Sequence, residues 1–391
     1  MARRYALQAK RITESMNSNT QSSPTHSTRR RWLAGLPLWT ILAPVIAGMA
    51  LGAAGLGLTL SGIFVGVIAL ALAGSVFAAV HHAEVVAHRV GEPYGTLVLA
   101  LAVTLIEVAL IVSLMIAGGT EAAALARDTA FAAVMIILNG IIGLCLLLGG
   151  LKHREQTFSL DGVSAALVAL AAIVILALVF PNYTVTTPGP YYSPSQLMLI
   201  AVVSLAIYGA FVFAQTIGHR GIFVEDEPAT EAPHHALRPS NRVTAVSAIL
   251  LIACLTAVVL LAKKLAPSLE SAVSIVGAPD ALVGVIIAAI VLLPEGLAAL
   301  RAARANRLQT SLNLALGSAL ASIGLTIPVV SVLSLYMHTE LVLGIDTKST
   351  VLLMLSLFIT AIALRTGRTI VLHGIVLLVI FVVYLFTTVV P

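Results

Sequence analysis

Apolar stretches of nearly equal length recur eleven times along this chain. Each is close to the about 20 residues that a helix needs to cross the hydrocarbon core of a bilayer. Hydrophobic residues make up 59% of the 391 residues and charged residues 10%, against about 25% charged residues in a soluble domain. This pattern predicts an all-α polytopic membrane protein without a second, soluble domain. The predicted spans run near 34–54, 59–82, 96–118, 129–150, 162–181, 195–217, 243–263, 279–301, 309–335, 349–366 and 369–390.

Lysine and arginine are divided unequally between the loops that join these spans. If the N-terminus is cytoplasmic and the spans alternate, the outer loops hold only Arg127, Lys263, Lys264 and Lys348. The remaining basic residues then lie inside, as the positive-inside rule expects. This distribution explains the net charge of +5 without a nucleic-acid partner. It predicts a multi-pass protein of a bacterial inner membrane, with the N-terminus cytoplasmic and the C-terminus periplasmic.

The number of spans predicts an internal repeat. Without the first span, ten remain, and two sets of five must enter the membrane in opposite senses because five is odd. Inverted repeats of this kind are typical of secondary transporters, whose binding site lies near the bilayer midplane. The predicted organisation is a disordered cytoplasmic tail (1–33), an extra transmembrane helix (34–58), a first five-helix repeat (59–217), an acidic cytoplasmic loop (218–242) and a second five-helix repeat (243–391).

Two glutamates occupy matching places in the predicted repeats. Glu107 lies at the middle of the second span of the first repeat, and Glu295 lies deep in the second span of the second repeat. A carboxylate at this depth is costly and usually functional. Burial disfavours the charged form of a carboxyl group, so the group can hold a proton or exchange it for a bound cation. The pair predicts an ion-binding and proton-coupling site, with the transported cation as its metal.

The span that follows each glutamate is rich in small and polar residues. Asn139 lies in a Gly-containing stretch of the first repeat, and Ser318 and Ser322 lie in the corresponding span of the second. Small residues allow helices to approach closely, and neutral side-chain oxygens can coordinate a cation. These residues are therefore candidates for supporting ligands.

A polar cluster lies at the cytoplasmic end of the second span. His81, Glu84 and His88 share one helical face because they are three, four and seven positions apart. We interpret the cluster as a cytoplasmic vestibule for cations and protons, although a polar helix end or a metal site fits the same residues. The acidic segment 225–231 is interpreted as a solvated linker, with weak regulatory cation binding as the alternative.

These motifs resemble the calcium/proton antiporters of the cation/proton exchanger family. The likeness, which is to the bacterial ChaA branch in particular, rests on two stretches: His81–Ile116, in which a His-His-x-Glu segment leads into an Ile-Glu-Val helix, and Leu293–Gly296 followed by Leu316–Ser322. It extends from about residue 35 to the C-terminus. The resemblance implies a ten-helix exchanger core with one extra N-terminal helix, paired site carboxylates at Glu107 and Glu295, and an acidic vestibule residue at Glu84.

The chain departs from the family in both motifs. The family's two site motifs read Gly-Asn-Ala-x-Glu, and here Thr104 and Leu292 stand where the asparagines would be. Thr104 remains a candidate supporting ligand. Because a calcium site takes six to eight oxygen ligands, the loss of two amides leaves sodium and potassium open as substrates.

Together these features predict a secondary active antiporter that exports Ca²⁺, with Na⁺ and K⁺ as further substrates, in exchange for protons by alternating access. The alternatives are a monovalent Na⁺/K⁺ proton antiporter, a cation channel and a membrane metalloenzyme built on the histidine cluster. The chain lacks an HExxH motif, so we expect no catalytic activity and no cofactor. Its expected partners are inorganic cations, protons and the lipid bilayer, and the oligomeric state is left open.

Overall fold

Helices account for nearly all of the chain that the structure describes. The structure is a computed structural model, and it describes residues 36–56, 62–91, 94–118, 123–218, 223, 239–277, 279 and 281–390. These residues form eleven helices: α1 (Leu38–Gly55), α2 (Gly62–Val90), α3 (Tyr94–Gly118), α4 (Leu125–His153), α5 (Leu160–Tyr183), α6 (Pro194–Gly218), α7 (Asn241–Val276), α8 (Ala281–Arg304), α9 (Leu308–Met337), α10 (Thr347–Leu364) and α11 (Val371–Val389).

Each predicted span overlaps one of these helices, so the all-α polytopic fold is confirmed. All helices except α3 are long and apolar enough to cross a bilayer along their described residues, and α3 has an apolar core at Ala100–Ile116. The predicted seventh span, 243–263, ends before its helix does, because α7 continues to Val276. Its lysines are tolerated on an exposed surface, and the helix stops at Gly277, whose φ of +71° is typical of a helix C-terminus.

The described chain divides into two units at Leu38. Residues 36–38 belong to the first unit, and Trp39 onward form the second, to which the contacts below refer. The predicted tail (1–33) and the acidic segment 225–231 lie outside the described residues. The predicted domain boundaries stay predictions.

Chain segments meet on one side of the bundle, which we call the strand face. Two short strands, β1 (Gln156–Thr157) and β2 (Arg368–Thr369), pair antiparallel there and join the α4–α5 connection to the α10–α11 connection. Lys152 Nζ donates to the Arg304 carbonyl over 2.8 Å, so α4 and α8 end together. The sequence predicted no strands, because two residues are too few for a periodic signal.

A second set of contacts defines the opposite side, which we call the loop face. The amides of residues 342–345 donate to the carbonyls of Ala123, Pro190 and Leu178 over 2.8–3.2 Å. Arg127 donates to the Gly344 carbonyl over 3.2 Å. Successive connections between helices thus lie on opposite faces of the bundle, as expected if each helix crosses the membrane once.

The helices of the two predicted repeats exchange packing partners. The pair α2–α7 makes the most extensive contact in the bundle. Helix α3 packs against α9 while α8 packs against α4, and α6 packs against α9 while α11 packs against α4. Two related five-helix sets that cross each other would produce this arrangement. The correspondence is incomplete, because α2 and α3 pack closely whereas α7 and α8 barely touch.

Three helices contain a short π-helical segment. These segments are Ile136–Ile141 in α4, Ile175–Val179 in α5 and Ala214–Gly218 in α6. A π-helical turn inserts an extra residue and re-aims the side chains around it, and such turns are frequent at functional sites. The segment in α4 contains Asn139, so it affects a predicted site residue directly.

Candidate ion-binding site

Glu107 lies in the middle of α3 with 4% of its surface exposed. Its Oε1 accepts a hydrogen bond from Ser322 Oγ on α9 over 2.5 Å. The two residues are 215 positions apart in the chain, and the contact exists because α3 packs against α9. The structure therefore brings together a predicted ion-site carboxylate and a predicted supporting ligand.

Glu295 lies on α8, directly after Pro294, and its carboxylate is also buried. Neither Oε1 nor Oε2 has a hydrogen-bond partner from another residue within the described part of the chain. Leu292, which stands at an asparagine position of the family motif, is 3% exposed and packs in the main hydrophobic core. Because the leucine side chain carries no polar atom, Leu292 cannot supply the neutral ligand that an asparagine would supply at this position.

The two glutamates lie on helices that share one hydrophobic cluster. Ile106, next to Glu107, and Val291, one turn before Glu295, both belong to that cluster. Among the described residues, neither carboxylate pairs with a lysine or arginine. Two like charges buried together without a basic partner are unfavourable, so protons or a cation must neutralise them.

Asn139 occupies the place in α4 that Ser322 occupies in α9. It follows the first residue of α4, Leu125, by 14 positions, and Ser322 follows Leu308 by 14 positions. Since α4 packs against α8, Asn139 lies on the helix that faces Glu295. The two helices approach closely here, because a Cβ at Gly296 would lie 3.2 Å from Ile141 Cδ1.

The hydrogen bonds of Asn139 fix the orientation of its amide. Its Nδ2 donates to Ser356 Oγ on α10 over 2.9 Å and to the Met135 carbonyl over 3.3 Å. Ser356 Oγ already donates to the Leu352 carbonyl over 2.7 Å, so it must accept from Asn139. The carbonyl oxygen Oδ1 is left buried and without a partner in the described structure, which makes it a free acceptor for a cation.

Three hydroxyl groups lie one helical turn from these residues. Thr104, one turn before Glu107, is buried and donates to the Ala100 carbonyl over 2.9 Å. Ser318 is half-buried and Thr326 is fully buried, four positions on either side of Ser322. Thr326 Oγ1 has no partner among the described residues. Sequence reasoning missed Thr326, although its spacing of four from Ser322 places it on the same helical face.

The surroundings of the glutamates differ between the two faces of the bundle. On the loop-face side, an apolar crevice is lined by residues of α2, α3, α7 and α8 that include Leu72, Leu110, Leu114 and Ile287. On the strand-face side, the predicted vestibule residues His81, Glu84 and His88 lie at the end of α2. The polar approach to the site is therefore on the strand face.

Within the vestibule, Glu84 and His88 are exposed and His81 is half-buried. His81 Nδ1 lies 4.0 Å from Glu84 Oε2, and the charges of His88 and Arg301 both act on Glu84. No three His, Cys, Asp or Glu side chains are grouped to hold a metal ion among the described residues. The cluster is thus exposed at the end of α2, and its described residues do not form a three-ligand metal site.

His82, which the sequence analysis passed over, is the histidine that the fold buries. Its ring Nε2 lies 3.2 Å from the Thr40 carbonyl of α1, and His82 is 0% exposed. The neighbouring His81 ring contacts the Trp39 ring at a centroid distance of 5.7 Å. The additional first helix is therefore attached to the vestibule end of α2. The spacing of the histidines in the sequence could not reveal the contact between His82 and Thr40, because these residues are 42 positions apart.

Comparison with known proteins identifies relatives over nearly the whole chain. The family described as "Sodium/calcium exchanger protein" matches residues 42–217 and 246–390. The putative ionic transporter y4hA of Sinorhizobium fredii (strain NBRC 101917 / NGR234) is 48% identical over 361 residues, which cover 92% of this chain and 98% of that protein. The sodium-potassium/proton antiporter ChaA of Escherichia coli (strain K12) is 40% identical over 354 residues, 89% of this chain and 95% of that protein.

A solved structure shares the fold at lower sequence identity. The H⁺/Ca²⁺ exchanger CAX superposes with a TM-score of 0.67 at 16% identity, covering 89% of this chain and 88% of that one. At this identity the match supports the arrangement of helices alone. It agrees with the helical membrane bundle described above.

Proposed function

The chain belongs to the sodium/calcium exchanger protein family, and we propose that it is a cation/proton antiporter that exports Na⁺ or K⁺, with Ca²⁺ as a weaker substrate. The observation that carries this proposal is the pair of buried glutamates. Glu107 and Glu295 both carry buried carboxylates on helices that share one apolar cluster, and neither pairs with a lysine or arginine among the described residues. A site of this kind must be neutralised either by protons or by a cation, and exchange of one for the other is antiport.

The ligand inventory favours a monovalent cation. Ca²⁺ takes six to eight oxygen ligands. Besides the two carboxylates, the candidate neutral oxygens are those of Asn139, Ser322 and Thr104, and Leu292 stands where the family has a further amide. Because the loss of neutral oxygen ligands weakens a Ca²⁺ site, a singly charged cation competes better for this set. The E. coli relative, 40% identical, is named a sodium-potassium/proton antiporter, and this name supports a monovalent cation as the substrate.

Ser322 and Asn139 have different parts in the proposed cycle. The Ser322 hydroxyl donates to the Glu107 carboxylate and so stabilises its charged form, which is the form that binds a cation. Asn139 Oδ1 accepts no hydrogen bond among the described residues and completes the cation site beside Glu295. When protons replace the cation, each carboxylic acid can donate to one of these oxygens.

We assign the strand face to the cytoplasm of a bacterial cell, because the basic residues at helix ends gather there. Among them are Arg89, Arg301, Arg304 and Arg365. A cytoplasmic cation approaches through Glu84 and the neighbouring histidines and binds at the glutamates. Rearrangement of the helices opens the apolar crevice to the outside, where protons displace the cation. A membrane potential supplies about 2.3 kcal/mol per charge per 100 mV for any net charge moved.

Everted membrane vesicles with an acid interior provide the test. Addition of Na⁺, K⁺ or Ca²⁺ should dissipate the pH gradient, with Ca²⁺ requiring the highest concentration. Glu107→Gln and Glu295→Gln keep the shape of each side chain but remove its charge, so each should lower the rate by about a hundredfold or more. Glu340→Gln is the matched control, because Glu340 is exposed near the loop face.

Full exchange in either glutamine variant of the site would contradict the proposal. A channel would also produce cation flux, but the direction of that flux would not reverse when the imposed pH gradient is reversed. Flux that follows the cation gradient alone therefore refutes antiport, whereas flux driven uphill by the pH gradient supports it.

A further inference from the structure

A groove on the membrane-facing surface lies between α5 and α10, far from the glutamates in the sequence and unused by the proposed transport cycle. Its volume is about 330 Å³. Val163, Leu357 and Leu364 form its buried floor, while Val168 and Ala361 rise at its exposed edges. The groove exists because α5 and α10 make only limited contact with each other.

The groove has the length and direction of one lipid leaflet. On α5 it extends from Leu160 to Ala171, which is about 16 Å at 1.5 Å per residue. Half of a hydrocarbon core is about 15 Å. Leu160 begins α5 at the strand face, so the groove starts at that membrane surface and ends near the midplane.

Apart from Ser164, the lining is apolar until the strand face, where Arg365 closes the end of the groove. Arg365 is exposed, and no described residue accepts a hydrogen bond from its guanidinium or pairs with it. The nearby Glu155 is engaged by Arg368 over 3.4 Å. Asp161, an acidic residue in the first turn of α5, does not pair with Arg365 either. An acidic residue in that position interacts favourably with the helix dipole.

We propose that this groove binds an anionic phospholipid of the leaflet at the strand face, with an acyl chain between α5 and α10 and the phosphate on Arg365. An apolar channel of leaflet length suits a hydrocarbon chain, and guanidinium binds phosphate through two parallel hydrogen bonds. The transported cation is a poor occupant, because the lining contains no carboxylate.

The position of the lipid connects it with α10. Ser356, which fixes the Asn139 amide, precedes Leu357 at the deep end of the groove. An acyl chain would therefore pack on the helix that also carries Ser356. Lipid binding itself is independent of the proposed transport activity, so the two can fail separately.

Native mass spectrometry of the full chain, equilibrated in mixed micelles with equal amounts of phosphatidylglycerol and phosphatidylcholine, tests the proposal. We expect wild-type protein to retain phosphatidylglycerol with at least about fivefold preference, equivalent to about 1 kcal/mol for one arginine near the surface. Arg365→Gln should abolish the preference and Arg365→Lys should keep most of it. Arg154→Gln, an exposed arginine on the same face outside the groove, should leave it unchanged.

Filling the groove provides a second readout. Ala361→Trp should reduce retention of both lipids, whereas Arg365→Gln should change their ratio alone. Equal retention of both lipids by wild-type protein, or the same preference in Arg365→Gln and wild type, would overturn the proposal. So would dimerisation through this face that excludes lipid. If Ala361→Trp does not fold, the comparison between Arg365→Gln and Arg154→Gln still decides the question.

Discussion

The Glu107 half and the Glu295 half of the site are built from corresponding helices, yet only one of them is satisfied by the protein. Glu107 accepts a hydrogen bond from Ser322. Glu295 receives none from another described residue, and Asn139, which corresponds to Ser322 in position, donates to Ser356 instead. The difference arises from helix geometry, because Asn139 lies in a π-helical segment and Ser322 lies in a regular α-helix.

This asymmetry suggests that the two carboxylates have different roles in ion binding. A buried carboxylate with a fixed donor keeps one position and holds its charge more readily. A carboxylate without a donor depends on an incoming proton or cation. Pro294 adds local freedom, because a proline inside a helix leaves the carbonyl four residues earlier without its usual partner. We therefore expect Glu107 to be the fixed element of the site and Glu295 the element that responds to its occupant.

Ser322→Ala should have the largest effect of the substitutions that leave both glutamates in place. It removes the donor to Glu107, and loss of a hydrogen bond to a charged buried group costs about 1.5–3 kcal/mol. Cation exchange in vesicles should fall by about tenfold or more. Ser318→Ala, one turn away on the same helix, is the control and should retain most of the activity. The effect of Ser322→Ala should shrink when Glu107 is already glutamine, and an undiminished effect would contradict a direct role.

Asn139→Ala should have a moderate effect that appears in affinity. It removes a neutral oxygen from the helix that packs against the helix of Glu295, so the apparent affinity for the cation should fall by about five- to tenfold, the size of one ordinary hydrogen bond or ligand contact. Ser356→Ala should weaken affinity less, by about threefold, because it only releases the amide from its fixed orientation. A larger loss in Ser356→Ala than in Asn139→Ala would show that α10 matters for another reason.

Thr104→Asn should have a small effect, of a different kind, because it should change selectivity. The substitution restores an amide at one of the two positions where the family has asparagine. An additional neutral ligand favours the higher coordination number of Ca²⁺. Relative to Na⁺, exchange of Ca²⁺ should rise by about three- to fivefold in a substrate competition. Thr104→Ser, which adds no ligand, is the control, and an unchanged ratio in Thr104→Asn would remove this residue from the determinants of selectivity.

The sequence was sufficient for the features that depend on composition and spacing. Apolar length located eleven spans, and the matched depths of Glu107 and Glu295 located a candidate site. The same reasoning failed where distant segments meet. Neither the β1–β2 pair nor the contact of His82 with Thr40 has a local signal. Lys263 and Lys264 suggested the end of α7, although charged residues at a membrane surface do not interrupt a helix.

The orientation of Asn139 was also beyond sequence reasoning. Its residue type predicted a ligand, but the direction of its amide depends on Ser356, 217 positions away, and on a π-helical turn. Local propensity does not determine either feature, since both arise from packing between helices. The asymmetry between the two halves is therefore visible only in the folded chain.

Competition between protons and the cation for the same two carboxylates is the central claim, and proton release on cation binding tests it most directly. Purified protein in weakly buffered detergent solution with a pH-sensitive dye should release protons when Na⁺ or K⁺ is added. Its apparent affinity should rise with pH, by at most about tenfold per unit for each proton exchanged. The sign follows because protonation removes the charge that binds the cation. The double variant of Glu107→Gln and Glu295→Gln should release none. Cation binding with equal affinity at all pH values and without proton release would contradict the account.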